Sequence, residues 1–140
     1  PVILVAPGGF AVAHSGWKGT IARISACATK ALCQATGAKA SEVKAYIGPH
    51  IGSADYEVSS ELIQMFSQEF GPGVVDRASG ERYLNLGYAV RAALVDAGVC
   101  ESAIEEVVDS TASTTERFFS YRAEHGKCGR HAAVAYLAAK

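Results

Sequence analysis

His14-Ser15-Gly16-Trp17-Lys18-Gly19 sets an imidazole, an indole and an ammonium side by side on one short stretch of chain. An imidazole can ligate a metal or carry a proton near neutral pH. An ammonium beside the N–H groups of a helix start attracts an anion such as phosphate. The plainer reading is a tight strand-to-helix turn with a surface lysine and a packed tryptophan. One histidine alone does not make a zinc site. A Walker A loop is excluded, because Lys18-Gly19-Thr20 lacks the Gly-x4-Gly-Lys-Ser/Thr spacing.

Other residues offer weaker chemistry. His125, Cys128 and His131 have the best metal-ligand spacing in the chain, but no fourth ligand is evident and His131 is placed to open a strand. Arg122 and Arg130 frame a glycine-containing loop and suit either a phosphate or surface carboxylates. Asp55 and Glu57 are paired carboxylates in sequence, on what reads as a solvated loop. No Ser-His-Asp order and no Gly-x-Ser-x-Gly elbow occurs.

The elements that must position these residues follow from periodicity. Val2 to Ala6 and Phe10 to His14 read as a hairpin around Pro7-Gly8-Gly9. Thr20 is a plausible N-cap for a helix from Ile21 to about Thr36, stopped by Gly37. Cys27 and Cys33 lie in that helix and read as small buried hydrophobes. Val43 to Ile47 is a buried strand. Val58, Leu62, Met65, Phe66 and Phe70 mark a second helix ended by Gly71-Pro72. Asp76 to Arg82 is loop, and Leu86, Val90, Leu94 and Ala97 give a third helix ended by Gly98. Ile104 to Val108 reads as an edge strand, Asp109 to Glu116 as a loop and Ala132 to Leu137 as a final strand. Interspersed strands and helices make the class α/β, a mixed sheet with helices packed on it. No linker divides residues 1–140, which read as a single domain.

Composition narrows the partners. The 140 residues are 49% hydrophobic and 19% charged, which argues for a packed core over disorder. A net charge of −1 and the lack of a basic stripe argue against nucleic acid. The longest apolar run, Ala132 to Ala139, is too short to span a bilayer, and no signal-peptide pattern opens the chain. Four cysteines without CxxC or framework spacing fit reduced thiols in a cytoplasm.

Four segments, in order, carry a resemblance. His14 to Gly19 resembles the His-Ala-Gly-Trp-Arg-Gly signature of the laccase-domain family, once named multi-copper polyphenol oxidases. Ile47-Gly48-Pro49-His50-Ile51-Gly52 with Tyr56-Glu57-Val58, then Tyr83-Leu84-Asn85-Leu86, then Phe118-Phe119-Ser120-Tyr121-Arg122 with Gly129-Arg130, resemble the family's later motifs. The resemblance implies a purine nucleoside phosphorylase that releases base and ribose-1-phosphate, with adenosine deaminase activity. It implies a catalytic zinc, with copper as the alternative, on His14, an upstream histidine and the cysteine of a Thr-Ala-Asp-Cys segment. On this resemblance Pro1 falls just after that cysteine, so the chain looks like the carboxy-terminal part of a longer protein with an incomplete metal site.

Departures from the pattern matter. Lys18 stands where the family has arginine, keeping charge but losing the bidentate fork. Ser110 stands where many members have cysteine, so any role of that thiol is lost. By resemblance, Lys18, Trp17 and Arg122 are the expected substrate-binding residues, with nucleoside and phosphate as ligands. Trp17 also fits plain core packing. A laccase proper needs a type-1 copper and a trinuclear cluster, which four scattered histidines do not supply. An inactive fragment is the remaining alternative. Sheet edges uncovered by a missing amino-terminal part would favour self-association.

Overall fold

The computed structural model describes residues 1–138. Strand β1 (Val2–Ala6) and strand β2 (Gly9–Ala13) close a hairpin with Ala6 opposite Gly9. Pro7 and Gly8 make its turn, and Gly8 takes φ +87°, where a Cβ is disfavoured. Along β1, buried Val2, Leu4 and Ala6 alternate with more exposed Ile3 and Val5, the period of a half-buried strand. Strand β3 (Lys44–Ile47) pairs antiparallel with the other side of β1, Val2 opposite Ile47. Strand β4 (Ile104–Glu106) runs parallel to β3, giving the order β2-β1-β3-β4 and the mixed sheet expected. β4 is an edge strand, as read from sequence, and stops at Glu106, short of Val108.

The expected single helix after β2 is two. Helix α1 (Trp17–Ile21) starts four residues before Ile21, with Gly16 extended at its cap. Thr20 is therefore not an N-cap. It lies inside α1 at 0% exposure, its Oγ1 bonded to Ser15 Oγ at 2.9 Å and to the Gly16 carbonyl at 3.0 Å. A helical threonine can satisfy its hydroxyl on the carbonyl one turn back. Arg23 then takes the left-handed conformation (φ 55°), which interrupts the helix. Helix α2 (Ile24–Thr36) follows and ends at Gly37, φ 76°, where the sequence places the stop.

The chain groups into two compact units. Pro1–Gly48 and Val90–Glu106, with residues 133–138, form the first, and Pro49–Ala89 with Val107–Ala132 form the second. The first unit's core joins Val2 and Leu4 of β1 and Ala45 and Ile47 of β3 to Leu32 of α2 and to Val90 and Leu94 of helix α4 (Leu86–Asp96). In the second unit, helix α3 (Ser60–Phe70) is capped by Ser59, whose Oγ accepts from Leu62 N at 3.3 Å, and it buries Phe66 and Phe70. Met65, expected among the residues marking the apolar face, is 45% exposed because the buried stripe centres on Phe66 and Phe70.

The predicted final strand does not form. Residues 132–137 enter no ladder, and Val134 and Tyr136 are about four-fifths exposed. Apolar β-prone residues make a strand only where an edge receives their N–H and C=O groups, and among the described residues none pairs with this stretch. No described helix is long and apolar enough to cross a membrane.

Candidate functional site

His14 follows the last residue of β2, and α1 begins three residues later. Its side chain is exposed and folds back over the intervening turn. A Cβ on Gly16 would lie 2.9 Å from His14 Nε2, so the imidazole rests on bare backbone. A Cβ on Gly19 would meet the His14 carbonyl at 3.3 Å and Ile24 Cγ2 at 3.3 Å. The two glycines thus have separate tasks: Gly16 makes room for the ring, and Gly19 makes room for the backbone that carries it. Beneath them, buried Ser15 and Thr20 share a 2.9 Å hydrogen bond that ties the strand end to the helix.

The helix start is short. Its first closing bond runs from Thr20 N to Gly16 O at 2.8 Å, which leaves the N–H groups of Trp17, Lys18 and Gly19 without intrahelical partners. With only one turn in α1, little macrodipole develops, and attraction for an anion rests mainly on Lys18. Lys18 Nζ sits 5.3 Å above the Trp17 ring. Trp17 is 38% exposed, so the expected core packing is only partial. The Thr20 hydroxyl and N–H are both engaged by the Gly16 carbonyl.

Arg122 belongs to the second unit, whereas His14, Trp17 and Lys18 belong to the first. Its guanidinium lies 5.2 Å from the Tyr56 ring, and Nη1 donates to the Glu57 carbonyl at 2.9 Å. Burial raises the Tyr56 phenol above its usual pKa, and the Arg122 charge opposes that rise. The Glu57 carboxylate pairs with Arg82. Asp55 turns to Ser110, so the two neighbouring carboxylates serve different partners.

Ser110 is more than a vacated cysteine position. Its Oγ donates to Asp55 Oδ2 at 2.5 Å and accepts from Gly52 N at 2.9 Å and Ala112 N at 3.2 Å. A Cβ on Gly52 would lie 2.8 Å from Ser110 Cβ, so the glycine admits this approach. Thr111 N donates to the His50 carbonyl at 3.0 Å beside it. The two partners of this junction, Gly52 and Ser110, lie 58 residues apart in sequence.

His125, Cys128 and His131 do not converge. His131 stacks on Phe119 at 6.3 Å and meets Phe118 edge-on at 6.2 Å, while Arg130 Nη1 approaches the Cys128 thiol at 3.4 Å. His125 takes φ 51° at a turn. Among the described residues no three His, Cys, Asp or Glu side chains gather where a metal ion could be held. His14 is thus a single donor, and the residues present do not by themselves fit a zinc or copper centre.

Comparison with known proteins supplies the lineage. Residues 1–138 match the family model described as multi-copper polyphenol oxidoreductase laccase. The chain is 35% identical over 137 residues to a purine nucleoside phosphorylase of Deinococcus radiodurans, covering 96% of this chain and 52% of that protein. It is 34% identical over 128 residues to adenosine deaminase RL5 from an unknown prokaryotic organism, covering 87% and 48%. The crystal structure of YlmD from Geobacillus stearothermophilus superposes with a TM-score of 0.81 at 28% identity, over 92% of this chain and 50% of that one. The chain therefore spans about half the length of the relatives it matches. With the mixed sheet, the His14 turn and a family match over residues 1–138, the chain belongs to the laccase-domain family, described as multi-copper polyphenol oxidoreductase laccase.

Proposed function

We propose that this chain is the His14-bearing part of a purine nucleoside phosphorylase that also deaminates adenosine. The observation that carries the reading is the seating of the His14 imidazole on Gly16, at the start of α1 and beside Lys18. That arrangement brings a nitrogen ligand and a cation to one turn. The names of the Deinococcus relative and of adenosine deaminase RL5 support the choice of reactions.

In this reading Lys18, with the N–H groups of α1, holds phosphate, and Trp17 offers a face to the base. Arg122, an always-charged fork, is assigned to substrate as well. His14 supplies one ligand to a zinc ion, with copper as the alternative, whose other ligands lie outside residues 1–140. The chain is expected to act in the cytoplasm, and its uncovered apolar residues favour self-association.

The test compares the 140-residue chain with a longer form that carries the residues encoded upstream of Pro1. Each is incubated with inosine or adenosine, phosphate and zinc, and released base, ribose-1-phosphate and ammonia are followed. The longer form is expected to turn over and the isolated chain to show little or no turnover. A longer form that releases no base, with phosphate present or absent, contradicts the reading.

A further inference from the structure

Away from the His14 turn, the first unit holds an open cavity of about 470 Å³ beside α2. Ala26, Ala40 and Ala97 line it, and their small side chains are what leave the space. Cys27 and Cys33 border the same volume, and neither is the buried hydrophobe expected: Cys27 is exposed and Cys33 half-buried. The two charged residues that line it, Arg23 and Lys30, are both cationic. Arg23 is held by Asp96 at 2.9 Å, whereas Lys30 is exposed and enters none of the ion pairs found among the described residues.

An apolar cleft of this size falls in the range of small-molecule pockets, in which a few polar groups set the orientation. A single point-charge cation at the rim suits one compact anionic head. We propose that this cavity is a binding site for a small amphiphilic carboxylate, a medium-chain fatty acid in class, with its apolar body over Ala26, Ala40 and Ala97 and its carboxylate at Lys30. The site is independent of the phosphorylase reading, since none of its residues belongs to the His14 turn.

The chain's own cysteines provide the test. Cys27 and Cys33 line the cavity, whereas Cys100 and Cys128 do not and serve as internal controls. The intact 140-residue chain is alkylated with N-ethylmaleimide, with and without decanoate below its micelle concentration, and each cysteine's rate is read by peptide mass spectrometry. Decanoate is expected to slow Cys27 and Cys33 several-fold and to leave Cys100 and Cys128 unchanged. Decyltrimethylammonium, with the same body and the opposite charge, is expected to protect less. Lys30→Glu, at an exposed position, is expected to reverse that preference, and Ala97→Trp to abolish protection by filling the space. Equal slowing of all four cysteines, no slowing, or protection indifferent to head charge overturns the proposal. So does protection that grows with protein concentration without decanoate, since a second copy would then be the occupant.

Discussion

The imidazole of His14 lies against the α-carbon of Gly16, so near that a Cβ there would sit 2.9 Å from Nε2. Gly16 itself has φ −73° and ψ 175°, extended backbone open to any residue. Its lack of a side chain therefore serves the histidine and not the turn. Gly16→Ala should displace the ring while changing stability by less than about 1 kcal/mol, because backbone conformation and cap are nearly preserved. Misplacing a reacting group by about 1 Å can cost ~100-fold in rate. Nucleoside turnover by the longer form should fall at least tenfold on that scale, with an unchanged circular dichroism spectrum. A variant of full activity would show that the ring's seat is irrelevant.

Ser110 holds three partners from one hydroxyl. Ser110→Ala leaves the Asp55 carboxylate and two N–H groups without it, and such losses cost about 1–3 kcal/mol when the groups are partly buried. Urea denaturation should show a lower midpoint of that order, and Gly52 and Ala112 amides should exchange faster. Ser110→Cys should recover only part of the loss, since a thiol is the weaker hydrogen-bond partner.

Much of the framework around these sites was legible because local residues dictate it. Pro7-Gly8 sets the hairpin, Gly37 and Gly71 end helices, and β1 alternates cleanly. Thr20 misled because serine and threonine suit both caps and back-bonded helix interiors, and the choice here depends on the contact with Ser15. The break at Arg23 had no signal, as an arginine rarely takes φ 55°. Residues 132–137 looked like a strand because periodicity reports apolar character, while a ladder needs a partner edge. The imidazole at His14 was legible as a candidate, but the Ser110–Asp55 contact spans 55 residues and leaves no local trace.

Phe66 is fully buried, with its ring 5.8 Å from that of Phe70, while its neighbour Met65 is 45% exposed. Phe66→Ala should cost about 3–5 kcal/mol through lost burial and a residual cavity. Met65→Ala should stay within about 0.5 kcal/mol. Chemical denaturation of the two variants measures the contrast, and similar losses for both would place the buried stripe of α3 wrongly.

Asp76 organises the loop that follows α3. The Ser53 hydroxyl donates to Oδ2 at 2.7 Å and chiefly lowers the Asp76 pKa from the ordinary 3.8, with Ser79 and the Ser79 and Ala78 N–H groups adding to it. A depressed folded-state pKa contributes stability that is present above the unfolded value and lost as pH falls through the folded one. The contribution should hold at neutral pH and fade only below 3.8. Amide exchange at Ala78 and Ser79, followed by NMR on acidification, should speed up in that window. Asp76→Asn should show weak protection at every pH, and wild-type loop protection lost already near neutral pH would contradict the assignment.

The most direct measurement is base release from inosine and phosphate by the longer form with His14 intact and with His14→Ala. The imidazole is exposed, so the variant should fold and keep its thermal transition. It should lose bound zinc and nearly all turnover, because removal of one ligand from a small donor set empties a catalytic metal site. A folded His14→Ala protein that retains zinc and releases hypoxanthine at the wild-type rate would contradict the account at its centre.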